Sequence, residues 1–155
     1  MLLLSGGISV GDYDFVRPSL LHNGVEEVFY KVNQKPGKPL FFGKSDSKLV
    51  FALPGNPAAA LNCFYMYVYG AIQSFKGQEH SGLQIKQFPL SNNHVKKEGR
   101  AEFVKVKLEE DQIHILEGQG SDVLQSFSMA DGLAYFSAGE SVIQAGEMVP
   151  VYLLP

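Results

Sequence analysis

Five lysines fall between Lys31 and Lys48 against one acid, Asp46, in a chain of 155 residues whose formal net charge is -3. Lys31, Lys35 and Lys38 lie at or beside the segment Lys35-Pro36-Gly37-Lys38-Pro39, whose prolines stiffen the turn that presents the ammonium groups. Such a loop suits a small, highly charged anion. Two further segments aim backbone at one. Ser5-Gly6-Gly7-Ile8-Ser9-Val10-Gly11 leads from an apolar run toward a helix, and its glycines let a ligand come close to the main chain. Asn56-Pro57 opens the longest helical pattern, where unbonded N–H groups and the helix dipole face outward. Neither segment is a P-loop or a dinucleotide fingerprint, since no Gly-Lys-Ser/Thr occurs and the glycine spacing differs. Turn glycines, a solvated hairpin tip and an ordinary helix cap explain each feature taken singly. Their coincidence in one α/β unit favours a ligand crevice at the ends of strands.

Asp12 and Asp14 are the only acids before Glu26. Either serves as a helix N-cap, and beside an anion both would repel it unless a cation bridges them. A hard ion such as Mg²⁺, held by a carboxylate and by substrate phosphates, resolves the conflict. His22, His80, His94 and His114 show no ligand spacing and read as incidental. Cys63, the single cysteine, excludes an internal disulfide and a cysteine-built zinc site, fits a reducing cytoplasm and reads as a packing residue off the main apolar stripe.

The elements that must position these residues divide the chain. Residues 1–77 alternate strand and helix patterns: strands at 1–4, 25–33, 40–43 and 49–53, and helices at 14–22 and from Asn56 to Gly77. Val28, Tyr30 and Val32 share one strand face, and Leu61, Phe64, Tyr65, Val68, Ile72 and Phe75 form one helical stripe. Residues 78–82 read as a linker. Residues 83–155 read as short strands, near 83–90, 101–109, 113–117, 133–137 and 148–153, with a hairpin turn at Glu110-Asp111-Gln112. The expected fold is therefore a partial three-layer α/β/α domain followed by a small β-barrel or sandwich, as two separate units with no sheet crossing between them. Hydrophobic residues make up 45% of the chain, enough for such cores, and the acidic balance opposes nucleic-acid binding. No apolar run is long and unbroken enough to be a membrane span.

Ser5 to Val16, then Lys31-Val32-Asn33-Gln34-Lys35-Pro36-Gly37-Lys38-Pro39, then Leu53-Pro54-Gly55-Asn56-Pro57-Ala58, resemble the molybdopterin molybdenumtransferase family, represented also by the C-terminal domain of gephyrin. The resemblance is strongest over residues 5–77. It continues more weakly at Gly99-Arg100-Ala101-Glu102-Phe103 and Ser126-Phe127-Ser128-Met129-Ala130. It implies insertion of molybdate into adenylylated molybdopterin with release of AMP, dependent on a divalent cation. By position, Asp14 matches an acid needed for activity and is the implied Mg²⁺ ligand, while Lys31 and Lys35 match functional lysines. Pro54 and Pro57 match functional prolines, and Arg100 with Ser121 or Ser126 matches an oxyanion-binding surface. Gly6, Gly7, Ser9, Gly11, Pro36, Gly37, Lys38, Gly55 and Asn56 complete the implied substrate-binding set.

The same resemblance implies a cytoplasmic homodimer that works beside a molybdopterin adenylyltransferase. It covers only the C-terminal part of the family, so the chain is expected to lack activity alone and to leave a sheet edge exposed. Two other readings remain open: a non-catalytic pterin-binding or scaffold module, and a related adenylyltransferase-type domain, against which the β half speaks.

Overall fold

The computed structural model describes residues 1–155 apart from Val10, Asp12, Tyr13, Ser47, His80, Ser81 and Glu98. In chain order the first half supplies β1 (Leu2–Ser5), α1 (Val16–His22), β2 (Glu26–Tyr30), β3 (Gln34–Lys35), β4 (Phe41–Ser45), β5 (Lys48–Leu53) and α2 (Pro57–Cys63). A π-helical segment, Phe64–Val68, carries α2 directly into α3 (Tyr69–Phe75).

Four of these strands form one sheet in the order β1-β5-β4-β2, with β1 parallel to β5 and the other pairs antiparallel. Strand β5 explains the sheet's layering. Its alternation sends Val50 and Ala52 toward α1, where they meet Leu20, Val25 and Phe41, and sends Phe51 and Leu53 toward Cys63 and Val68 of the long helix. A strand buried on both faces reads as a continuous apolar run, as Leu49–Leu53 does. Strand β1 lies at an edge of this sheet, and its Leu2 and Leu3 are 42% and 44% exposed.

Two sequence expectations are corrected in this half. Val28, Tyr30 and Val32 do not share a face: the β2–β4 register shifts between Glu27 and Phe29, leaving Val28 exposed while Tyr30 packs with the α1 cluster and Val32 with the opposite one. A β-bulge adds one residue and re-aims those after it. The single helical stripe also divides. Phe64, Val68 and Ile72 face the first sheet together with Cys63, which is fully buried rather than off the apolar face. Ala58, Leu61, Tyr65 and Met66 instead pack with Phe103, Phe127 and Leu133 of the second half, and Phe75 is exposed. The helix lies between two sheets, so it needs two apolar faces.

The second half supplies β6 (Ile85–Pro89), β7 (His94–Val95), β8 (Ala101–Glu109), β9 (Gln112–Ile115), α4 (Gln125–Met129), β10 (Gly132–Phe136), β11 (Val142–Ile143) and β12 (Met148–Leu153). Its main sheet runs β3-β8-β10-β12-β6 with β9 paired to β8, and β7 and β11 form a small separate pair. The core of this half holds Val104, Val106, Ile113, Phe136 and Val151. Glu110 and Asp111, at φ 49 and φ 62, make the expected hairpin turn between β8 and β9.

Strand β3 overturns the expectation that no sheet crosses between the halves. It belongs to the first segment of sequence, yet it pairs in parallel with β8, Gln34 opposite Ala101 and Lys35 opposite Glu102. The lysine loop is thereby bonded to the second sheet while its flanking strands stay in the first.

Candidate functional site

A cleft of about 700 Å³ opens where the two sheets and the start of α2 meet. Parallel pairing of β1 with β5 puts the loops after both strands at the same end of the sheet, and Gly6 N–H donates to Leu53 O at 3.1 Å. Gly7, Ile8 and Ser9 from one loop, and Pro54, Gly55 and Asn56 from the other, form the first wall. Lys35, Pro36, Gly37, Lys38 and Pro39 form the second. Arg100, Glu102 and Phe103 of the β8 region, with Gln119, Gly120 and Ser121, form the third. The three anion-suited segments of the sequence therefore face one space.

Several implied residues take other places. Gly6, Gly11, Lys31, Pro57 and Ser126 do not line the cleft. The Lys31 ammonium stands 5.0 Å from the centre of the Tyr30 ring. Ser126 is buried, and its hydroxyl donates to Gly118 O at 2.7 Å, so it shapes the loop that carries Ser121 rather than meeting a ligand.

Asp14 lines the cleft but does not cap α1, which starts at Val16 with Phe15 at the cap position. Its Oδ2 accepts from Gly11 N–H at 2.6 Å and closes the glycine loop. The cap expectation for Asp12 lies outside the described residues. Among the described residues, no three His, Cys, Asp or Glu side chains group around one point.

The start of α2 differs from the exposed anion cradle expected of it. Pro57 has no N–H, and Ala59 N–H donates to Ser121 O at 3.1 Å. Asn56 has the extended conformation of a cap residue but makes no capping bond; its Nδ2 donates to Ser121 Oγ at 2.9 Å. The helix start is thus used largely to hold Ser121 at the cleft wall. The cations lining the cleft are Lys35, Lys38 and Arg100.

The loop bearing Ser121 is fixed from beneath. Lys105 is buried, donates through Nζ to Gly118 O at 2.8 Å and to Val123 O at 3.3 Å, and sits 5.3 Å from the centre of the Phe127 ring. Burial lowers its pKa, against the opposing pull of Asp122. The Gln119 side chain accepts from Lys105 N–H at 3.0 Å and donates to Lys105 O at 2.9 Å, copying a strand pairing. On the opposite wall, Cys63 Sγ lies 3.6 Å from Gly37 O, and burial pushes its thiol pKa up to about 12.

Gln34, Glu102, Gln119 and Gly120 escaped the sequence reading. Glu102 and Gln34 had a visible signal, each standing in a motif of the resemblance; Gln119 and Gly120 are set by pairings distant in sequence.

Comparison with known proteins gives a consistent likeness. Residues 1–74 match the model of a "Probable molybdopterin binding domain", and residues 87–154 match the "MoeA C-terminal region (domain IV)". A molybdopterin molybdenumtransferase of Haemophilus influenzae is 31% identical over 97% of this chain and 39% of its own length. A gephyrin of Dictyostelium discoideum is 36% identical over 50% of this chain and 13% of its own length. The crystal structure of a molybdopterin biosynthesis MoeA protein from Pyrococcus horikoshii superposes with a TM-score of 0.75 at 30% identity, covering 97% of this chain and 36% of that one. The chain thus spans well under half the length of these relatives.

Proposed function

From a chain that belongs to the molybdopterin molybdenumtransferase family, we propose a part in molybdenum insertion: the cleft holds an anionic pterin substrate and molybdate while molybdate enters adenylylated molybdopterin and AMP leaves. The observation that supports this reading is the convergence of Lys35, Lys38, Arg100 and Ser121 on one cleft between the two sheets.

Each residue then has a physical task. Lys35 and Lys38 neutralise phosphate or molybdate as compact point charges. Arg100 offers a planar fork of donors to an oxyanion from the opposite wall. Donors fixed before the ligand arrives stabilise charge without reorganising, and Ser121, held by Asn56, is such a donor. Gly7, Ser9 and Gly55 let the ligand approach the main chain. Lys31, outside the cleft, adds to the field that draws anions toward it.

Among the described residues, Asp14 is the one carboxylate on the glycine-loop wall, and Mg²⁺ is commonly held by one or two carboxylates with water and substrate phosphates. The donor set therefore fits an ion shared with substrate rather than caged by protein. When bound, such an ion would supply charge neutralisation of the phosphates. The adenylyltransferase that makes the substrate is the partner this reading assigns, and the working form is a cytoplasmic homodimer.

Molybdenum insertion and AMP release, assayed on this chain alone and together with the remaining portion of a full-length relative, test the proposal. Asp14→Ala and Lys35→Ala should each abolish insertion in the complete assembly while melting temperatures stay near wild type. The Lys35 side chain is 57% exposed, and His94 stays beside Glu102 when it is truncated. Near wild-type insertion by Asp14→Ala would leave that residue only its bond to Gly11, and pterin binding without any AMP release would favour a scaffold.

A further inference from the structure

Glu102 places a nearly buried negative charge on a cleft wall otherwise rich in cations. The parallel β3–β8 register sets it directly opposite Lys35, and its Oε1 accepts from Lys35 Nζ at 3.2 Å. Its other oxygen, Oε2, lies 3.7 Å from His94 Nε2. That nitrogen is buried and has no hydrogen-bond partner, and the imidazole packs 4.8 Å from the Phe136 ring. Among the described residues, the nearest other charge on the elements around His94 is Lys96. Strand β11 pairs with β7 through Val142 and Ile143, β10 offers Phe136, and Lys96 turns its ammonium to Arg100 O at 2.9 Å and Lys97 O at 3.4 Å. One carboxylate therefore serves two bases. The exposure of the three groups is unequal: the Lys35 side chain is 57% exposed, that of Glu102 10% and that of His94 19%.

On the reading that the cleft binds anions, we propose that Glu102 and His94 form a proton-linked counterion set for Lys35: an anion entering the cleft draws the Lys35 ammonium off Glu102, and His94 takes up a proton to remain with the carboxylate. Lys35 can move toward a ligand because it is exposed; Glu102 cannot follow. Left without Lys35, the carboxylate acts on His94 alone, and an opposite charge within about 4–6 Å favours the protonated imidazole. Glu102 and His94 are positioning residues here, acting on substrate only through Lys35.

The test is the NMR titration of the His94 imidazole in the wild-type chain, Lys35→Gln and Glu102→Gln, with the signal assigned by His94→Gln. Lys35→Gln should raise the His94 midpoint by about half a unit or more, and Glu102→Gln should lower it. Saturating molybdate, which stays ionised at neutral pH, should shift the wild-type midpoint in the same direction as Lys35→Gln. An unchanged midpoint in Lys35→Gln overturns the proposal, and this variant decides the matter even if Glu102→Gln folds poorly. A Lys35→Gln shift without a molybdate shift overturns the displacement step if equilibrium dialysis shows molybdate bound, and overturns the anion-binding reading of the cleft if it shows none bound.

Discussion

Alanine at Gly37 would place its methyl carbon 2.4 Å from Cys63 Sγ and 3.2 Å from Gln34 Nε2, on a backbone held at φ +90. Both neighbours are poorly able to give way. Cys63 is fully buried, with its sulfur against Gly37 O, and Gln34 Nε2 is held by Pro36 O at 3.0 Å. The left-handed backbone costs roughly 1–2 kcal/mol for an L-residue, and forcing a methyl into a packed interior typically costs about 1–3 kcal/mol. Gly37→Ala should therefore lose about 2–5 kcal/mol, read as a lowered urea midpoint at an unchanged slope. Cys63→Ala removes the overlapping sulfur but not the backbone strain. The double variant should consequently recover about 1 kcal/mol or more relative to the sum of the single changes. A Gly37→Ala loss below about 1 kcal/mol, or strict additivity with Cys63→Ala, would refute the claim that the lysine loop is clamped onto the helix here.

Two other outcomes follow from the same packing. The Cys63 thiol, buried and with its pKa raised to about 12, should react with iodoacetamide roughly 10³-fold more slowly than an exposed cysteine; rapid labelling under native conditions would contradict its burial. Asp131 has its pKa lowered from the ordinary value of 3.8, first by the Leu108 N–H and then by Lys107. The stability this contributes is present above pH 3.8 and lost as pH falls through the lower folded value, so Asp131→Asn should flatten the acid limb of stability against pH; equal acid limbs in the two proteins would remove Asp131 from that role.

Residues whose structure is decided locally were legible in the sequence. Pro57 begins a helix because its fixed φ suits the first turn, and Leu49–Leu53 is a buried strand because the run is apolar on both faces. The glycine loop and the lysine loop could each be picked out for the same reason. What joins them was not legible. Lys35 meets Glu102 across 67 positions, and Asn56 meets Ser121 across 65, through strand and loop placements that no local pattern encodes. Local irregularities hid as well: the bulge at Val28 and the π segment at Phe64–Val68 each shift the side-chain period on which face assignments rest. Ser126 misled for a different reason. A serine in a recognisable motif looks like a ligand donor, but here its hydroxyl is consumed by Gly118 O.

Soaking tungstate, a heavy isostere of molybdate, into crystals of the chain tests the anion cleft most directly. Anomalous density within hydrogen-bond reach of Lys35, Arg100 and Ser121 is the expected result, weakened in Lys35→Ala. Density confined to other surfaces, or a cleft empty of tungstate at saturating concentration, would contradict the assignment.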